Sequence, residues 1–231
     1  MNFRKPKALS RLRLVTLIAA IGTLALVSSA AAVVYVYSNG FNSRESYREI
    51  NKIGGSNSCD RSFLKEKKAM GIDFKGRDFC EYSPPVAGDN DQPDHEIVAE
   101  GRILKDTPKS VREQSYLGVR VRVGAGTYYE FRVTPKGRDF KLNREPSGPG
   151  LPISGSSSRI NKLGASNRLR LRVTNGKVTA FVNGKSVATY ADPNVNQVTG
   201  RKVSFGLGNT KKARSGPIGI IKSVKVGVPT P

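Results

Sequence analysis

Between Asn167 and Tyr190 apolar and polar residues alternate, and the alternation breaks twice at Asn-Gly, at Asn175-Gly176 and Asn183-Gly184. A period of two is the repeat of a pleated strand with one buried face. Asn-Gly supplies the positive φ angles that a two-residue hairpin turn needs. Leu169 to Val173, Val178 to Val182 and Ser186 to Tyr190 are therefore expected to be consecutive antiparallel strands. The same period runs through Gly118-Val119-Arg120-Val121-Arg122-Val123, turns at Gly124-Ala125-Gly126 and resumes with Tyr129, Phe131 and Val133 on one face. Pro135-Lys136-Gly137 turns the chain into Phe140-Lys141-Leu142, a Gly/Pro/Ser loop covers Pro146 to Ser158, and Val203 to Leu207 and Ile218 to Val228 complete the set. Many short strands with regular turns and almost no helical period predict a mainly β chain: a two-sheet antiparallel jelly-roll sandwich over 96–228, long enough for one core.

The N-terminus follows a different pattern. Arg4, Lys5, Lys7, Arg11 and Arg13 form a basic flank, and from Leu14 to Ser43 there is no charged side chain. The apolar run Val15 to Tyr37 would, as a helix, reach roughly 35 Å, enough for a bilayer core of about 30 Å. Basic residues before the run and none just after it place the N-terminus in the cytoplasm and export the rest. The expected organisation is a cytoplasmic tail (1–14), a transmembrane signal-anchor helix (15–37), a polar linker (38–58), a cysteine-bearing part (59–95) and the sandwich. A cleaved signal peptide is the other reading, since Ser28-Ser29-Ala30-Ala31-Ala32 offers small residues at a cleavage spacing. Both readings export the domain.

Cys59 and Cys80 are the only cysteines, and in an oxidising compartment two thiols in one domain are expected to pair. Around them the residues suggest a short helix at Ser62 to Met70 and an extended stretch from Phe74 to Tyr82. With a lone histidine, His95, and no second cysteine pair, no zinc site is expected. Asp89, Asp91, Asp94 and Glu96 are the one acidic cluster; calcium is conceivable there, but the cluster lacks the spacing of a calcium loop, and no cofactor is expected. The chain carries 39 Lys+Arg against 18 Asp+Glu, and leaving out the five cations of the basic flank gives 34 against 18, a net +16 on the exported part. That balance suits a polyanion outside the membrane, an anionic glycan or cell-wall polymer, with no specific nucleic acid expected.

The segments Tyr128-Tyr129-Glu130-Phe131-Arg132-Val133-Thr134-Pro135-Lys136-Gly137, Asn167-Arg168-Leu169-Arg170-Leu171-Arg172-Val173 and Phe181-Val182-Asn183-Gly184-Lys185 resemble successive strands of concanavalin A-like lectin/glucanase domains. The likeness is to the bacterial branch with laminin G-like modules and 3-keto-disaccharide hydrolase-like domains, and it covers about Glu96 to Val228. It implies a two-sheet jelly roll with a concave face that in many members contacts glycans. The motifs fix turns and core positions, so they speak to fold before activity.

Function then turns on the polar strand faces. Glycosidases of this fold need carboxylates facing the sugar a few ångströms apart; Glu130 stands alone on its strand and Leu169 to Tyr190 contains no acid. Alternation turns Arg120, Arg122, Arg170 and Arg172 away from the core, so their removal should leave the fold intact, while Arg132 shares a face with Tyr128 and Glu130. The guanidinium fork suits carboxylate, sulfate or phosphate. The candidate ligand-binding residues are thus Arg120, Arg122, Tyr128, Arg132, Arg170 and Arg172, with Tyr190 and Phe181 as further aromatic platforms. A binding module on a cell-envelope polymer is the leading expectation; a sugar-active hydrolase and a structural, partner-binding ectodomain are the alternatives. Paired carboxylates on the concave face would favour the hydrolase, an Arg/Tyr groove glycan binding, and a flat apolar patch a protein partner.

Overall fold

A computed structural model of the chain describes residues 33–54, 59–74, 79–85, 94–210 and 218–229. In chain order the strands are β1 (Val33–Asn39), β2 (Asn51–Gly54), β3 (Cys59–Leu64), β4 (Ala69–Phe74), β5 (Phe79–Ser83), β6 (Glu96–Ile103), β7 (Ser115–Val123), β8 (Tyr128–Thr134), β9 (Asp139–Glu145), β10 (Ile153–Ser156), β11 (Asn167–Thr174), β12 (Lys177–Val182), β13 (Lys185–Ala191), β14 (Lys202–Asn209) and β15 (Ile218–Pro229). One short helix, α1 (Arg44–Arg48), lies between β1 and β2. They form two antiparallel sheets. The eight-stranded sheet runs β13-β12-β11-β6-β15-β4-β3, with β1 also paired to β15, and the seven-stranded sheet runs β10-β9-β8-β7-β14-β5-β2.

The period of two becomes the core. Leu117, Val119 and Val121 of β7, Tyr129, Phe131 and Val133 of β8, Leu169, Leu171 and Val173 of β11 and Val203, Phe205 and Leu207 of β14 are all buried in one cluster. Each such side chain contributes about 1.5–3 kcal/mol by leaving water. β11 and β12 are joined through Asn175 (φ 49°) and Gly176 (φ 74°), β12 and β13 through Asn183 (φ 49°) and Gly184 (φ 83°). Both central residues are left-handed, as the tight hairpin predicted from Asn-Gly requires.

The sandwich begins well before Glu96. Val33 to Tyr37, expected as the end of a membrane helix, is strand β1, bonded antiparallel to β15 from Val33 opposite Pro229 to Asn39 opposite Val224. The rest of the expected span, 15–32, lies outside the described residues, and no described helix is long and apolar enough to cross a membrane. Residues 38–54, expected as linker, instead carry the end of β1, α1 and β2. Phe41 and Ile50 hold this stretch to the domain, both fully buried in the core. A polar composition concealed these two anchors. The helix expected at Ser62 to Met70 is β3 followed by a single 3-10 turn at Lys65–Lys67, because Met70 and Ile72 are taken into β4 and the core.

Cys59 and Cys80 are joined, as expected, with an S–S distance of 2.03 Å. Cys59 belongs to β3 of the eight-stranded sheet and Cys80 to β5 of the seven-stranded one, so the bond clamps the two sheets to each other.

Candidate functional site

On the seven-stranded sheet, the face turned from the core is built row by row from the register. Arg120 lies between Ser204 and Glu130, Gly118 between Gly206 and Arg132, and Tyr116 beside Gly208. Beyond β14, Gly206 faces Glu81 and Gly208 faces Phe79. The glycines leave a floor on which rings lie flat. A Cβ on Gly208 would stand 2.5 Å from the Tyr116 ring, and one on Gly206 would stand 1.7 Å from the Cys80 carbonyl oxygen. The result is a continuous stack. Arg120 is sandwiched between Tyr128 (4.1 Å to the ring centroid) and Phe79 (4.5 Å); Phe79 stacks on Tyr116 at 5.7 Å with planes 15° apart; and Tyr116 carries Arg132 at 4.9 Å. Cation–π contacts of this kind stabilise by about 0.5–2 kcal/mol each as water is excluded.

Two carboxylates pin the stack from below. Glu81 accepts from Arg120 Nη1 at 3.0 Å and from the Ser204 hydroxyl. Glu130 accepts from Arg120 Nε and Nη2 (3.2 and 3.0 Å) and from Asn143 Nδ2 (3.2 Å), and pairs with Arg132 at 3.6 Å. Burial works against the charged guanidinium of Arg120, but Glu130 and Glu81 outweigh it and raise its pKa. Burial foremost raises the Tyr116 and Tyr128 phenols too, with Arg120 pulling the other way. Arg120 is therefore charged and the Tyr116 and Tyr128 phenols neutral at neutral pH.

Above it opens a cleft of about 370 Å³, lined among others by Tyr128, Arg132, Lys141, Asn143, Glu145 and Ser147. One end is held by Arg144, whose Nη1 donates to both oxygens of Asp192 at 2.9 Å while Tyr129 Oη donates to the same carboxylate at 2.7 Å. These two side chains are almost fully buried. Burial alone would raise the Asp192 pKa, but the hydrogen bonds from Tyr129, the Asn194 N–H and Arg144 lower it.

The six residues expected to bind ligand do not form one face. Arg120, Tyr128 and Arg132 meet in the cleft. Arg170 and Arg172 lie on the opposite sheet, where Arg172 Nε donates to Glu96 Oε2 at 2.6 Å and Arg170 lies 3.6 Å from the Phe181 ring centroid. Arg122 belongs to neither face. It is 5% exposed, has φ 52° and donates to the carbonyls of Val195 and Val198 and to Asp94. The register explains this: Lys202 faces Val123 and Ser204 faces Arg120, so Val203 alone opposes Val121 and Arg122. A bulge of this kind ends the strict alternation and re-aims the extra side chain. Tyr190, on β13, holds the 146–152 loop, its hydroxyl donating to the Pro149 carbonyl.

Of the acidic cluster, Asp89 and Asp91 lie outside the described residues. Asp94 receives Arg122 and the Asn175 N–H, and Glu96 receives Arg172 and the Tyr35 hydroxyl. No group of three or more His, Cys, Asp or Glu among the described residues is placed to hold a metal ion. Phe79, Glu81, Tyr116, Lys141 and Asn143 were not foreseen as site residues. For Phe79 and Tyr116 the signal was the glycines Gly118, Gly206 and Gly208, which these rings approach, since glycine inside a strand marks a close approach; Glu81, Lys141 and Asn143 carried none.

No protein-family model and no curated protein matches this sequence. Solved structures match it in shape. A protein of unknown function with a galectin-like fold from Bacillus subtilis superposes with a TM-score of 0.59 at 11% identity, covering 85% of this chain and 98% of that one. The laminarinase from Flavobacterium sp. UMI-01 gives 0.57 at 11% identity, with 84% and 99% covered. The carbohydrate-binding module CBM66 from Bacillus subtilis gives 0.50 at 10% identity, with 75% and 92% covered. At such identities the likeness is one of fold: the chain has the galectin-like, concanavalin A-like jelly roll that its strand motifs resemble.

Proposed function

We propose that the domain is a carbohydrate-binding module that takes a glycan in the cleft of the seven-stranded sheet. The observation that carries this reading is the Tyr128/Arg120/Phe79/Tyr116/Arg132 stack, which holds half-buried Tyr128 and Arg132 rigidly at the cleft floor. A sugar presents hydroxyls that both donate and accept beside a less polar ring face, and a pocket for it needs a flat apolar surface edged by convergent polar groups. Tyr128 supplies the surface; Arg132, Lys141 and Asn143 supply donors, and Glu145 and Asn143 acceptors. The likeness to CBM66 and to laminarinase supports the same class of ligand.

Hydrolysis is the second reading, since Glu81 and Glu130 do approach one another through Arg120. Retaining and inverting hydrolysis both need one carboxyl to protonate the leaving oxygen and another to act on the opposite face of the sugar. Here both carboxylates are committed, Glu81 to Arg120 and Ser204 and Glu130 to Arg120, Arg132 and Asn143. Their geometry serves the stack.

The domain works outside the cytoplasm, tethered by the apolar segment that ends at Ala32. The basic flank and the uncharged run behind it support export, and the Cys59–Cys80 bond supports an oxidising compartment. The cleft is tested by titrating the full-length chain, in a non-ionic detergent, with neutral and acidic oligosaccharides in a calorimeter. Tyr128→Ala should weaken the best ligand by about tenfold or more, a loss of about 1.4 kcal/mol, while the fold loses no more than the one cation–π contact with Arg120, about 0.5–2 kcal/mol. Undiminished binding by this variant would refute the cleft.

A further inference from the structure

The positive charge of the exported part is not spent in the cleft. There Arg120, Arg132 and Lys141 stand beside Glu81, Glu130 and Glu145, and Arg144 is matched by Asp192. Part of the excess lies on the opposite sheet. Alternation along β11 turns Arg168, Arg170 and Arg172 outward in one line, at a spacing of about 6.6–6.8 Å for every second residue. The register sets Arg168 beside Glu100, Arg170 between Val98 and Phe181, and Arg172 between Glu96 and Thr179; Lys225 follows beyond Val98.

We infer that the outward face of the eight-stranded sheet is a second binding site, whose ligand is a linear polyanion bearing repeated phosphate groups. Three observations lead there. A recess of about 460 Å³ opens beside the arginine line, lined by Arg168, Arg170, Phe181, Asn183 and Gly184. The Arg170 guanidinium rests on the Phe181 ring at 3.6 Å, which pre-sets the plane of its donor fork before any ligand arrives. The carboxylates of this face are already engaged: Glu96 takes Arg172 at 2.6 Å and the Tyr35 hydroxyl, standing 3.9 Å from Arg170, and Glu100 pairs with Lys222 at 3.6 Å. Arg168, which is exposed, and Arg170 thus line the recess with the less engaged guanidinium groups of the file. Phosphate offers more oxygens and more charge per group than a carboxylate. A recess beside a single file of cations receives a chain better than it receives a planar lipid surface. This site stands independently of the cleft.

The test uses the full-length chain in non-ionic detergent, with inorganic polyphosphate as the probe, at low and moderate salt. Arg168→Gln with Arg170→Gln should lower affinity by about tenfold or more at low salt, and should flatten the salt dependence by about the share of two charges. Arg168→Glu, at an exposed side chain, should weaken binding comparably with unchanged melting. Tyr128→Ala should leave polyphosphate binding as it was, whatever it does to oligosaccharides. Binding equal to the parent's in both arginine variants would overturn the proposal. So would binding to mixed micelles containing phosphatidylglycerol without binding to polyphosphate, which would make the face a membrane-docking surface instead.

Discussion

Arg120 and Arg122 differ by two positions and share a face in any strict alternation, yet one is the centre of a stack and the other a buried strut. Neither can be removed without consequence, contrary to the expectation from sequence. Loss of Arg120 would leave Glu81 and Glu130 without their main partner, and loss of Arg122 would leave the Val195 and Val198 carbonyls and Asp94 without theirs. Breaking a buried pair on one side costs about 3–5 kcal/mol. Asp192 is the sharpest case, with its side chain fully enclosed between Arg144 and Tyr129. Its folded pKa lies below the ordinary 3.8, so its contribution is fully present above that value and is lost as pH falls through the lower folded pKa. Asp192→Asn should therefore lower stability at pH 7 by about 3–5 kcal/mol in chemical denaturation, and its loss of stability between neutral and strongly acid pH should be shallower than the parent's. A parallel pH profile would show that Asp192 is not coupled to folding in this way.

Among the elements, β3 and β5 are the pair whose link matters most. β3 is at the edge of the eight-stranded sheet and β5 lies one strand in from the edge of the other. The Cys59–Cys80 bond closes a loop of 21 residues in sequence separation across the sandwich, and a loop of that size is stabilised by about 3 kcal/mol when cross-linked. A Cys59→Ser, Cys80→Ser double variant should lose roughly this amount in urea unfolding. Because Cys80 lies in the strand that carries Phe79 and Glu81, the same variant should also weaken glycan binding in the cleft; full affinity would show that the floor is set by β14 and β7 alone. Strand β14 contributes through what it lacks, since no side chain but glycine fits at Gly206 under the Cys80 carbonyl.

At the scale of the whole molecule, the strand at Val33 moves the start of the domain into the run expected to be a membrane helix. The uncharged run has 15–32 left to it, which as a helix reaches about 27 Å, still within the length that spans a bilayer. Carbonate extraction should leave the full-length chain in the membrane pellet, with protease reaching the domain only from the outer side. A mature N-terminus near Val33 in mass spectrometry would show that the segment is cleaved and the domain released. The two faces divide the chemistry of the domain, with a charge-balanced, ring-floored cleft on one sheet and an arginine file on the other.

Much of this architecture was legible in the chain itself. Alternation and Asn-Gly are local signals, so β7, β8, β11, β12 and β13 and their hairpins could be read directly, as could the candidate disulfide. The glycines of β14 were visible, but the rings they admit come from β5 and β7, and their meeting depends on register between strands far apart in sequence. Phe41 and Ile50 were hidden in a polar stretch because burial is a property of the finished core. The bulge that turns Arg122 inward depends on pairing with β14, and the split of the arginines between two sheets depends on which strands each sheet gathers. Period and turn chemistry are written residue by residue, whereas which polar faces meet is decided only when strands distant in the chain pair.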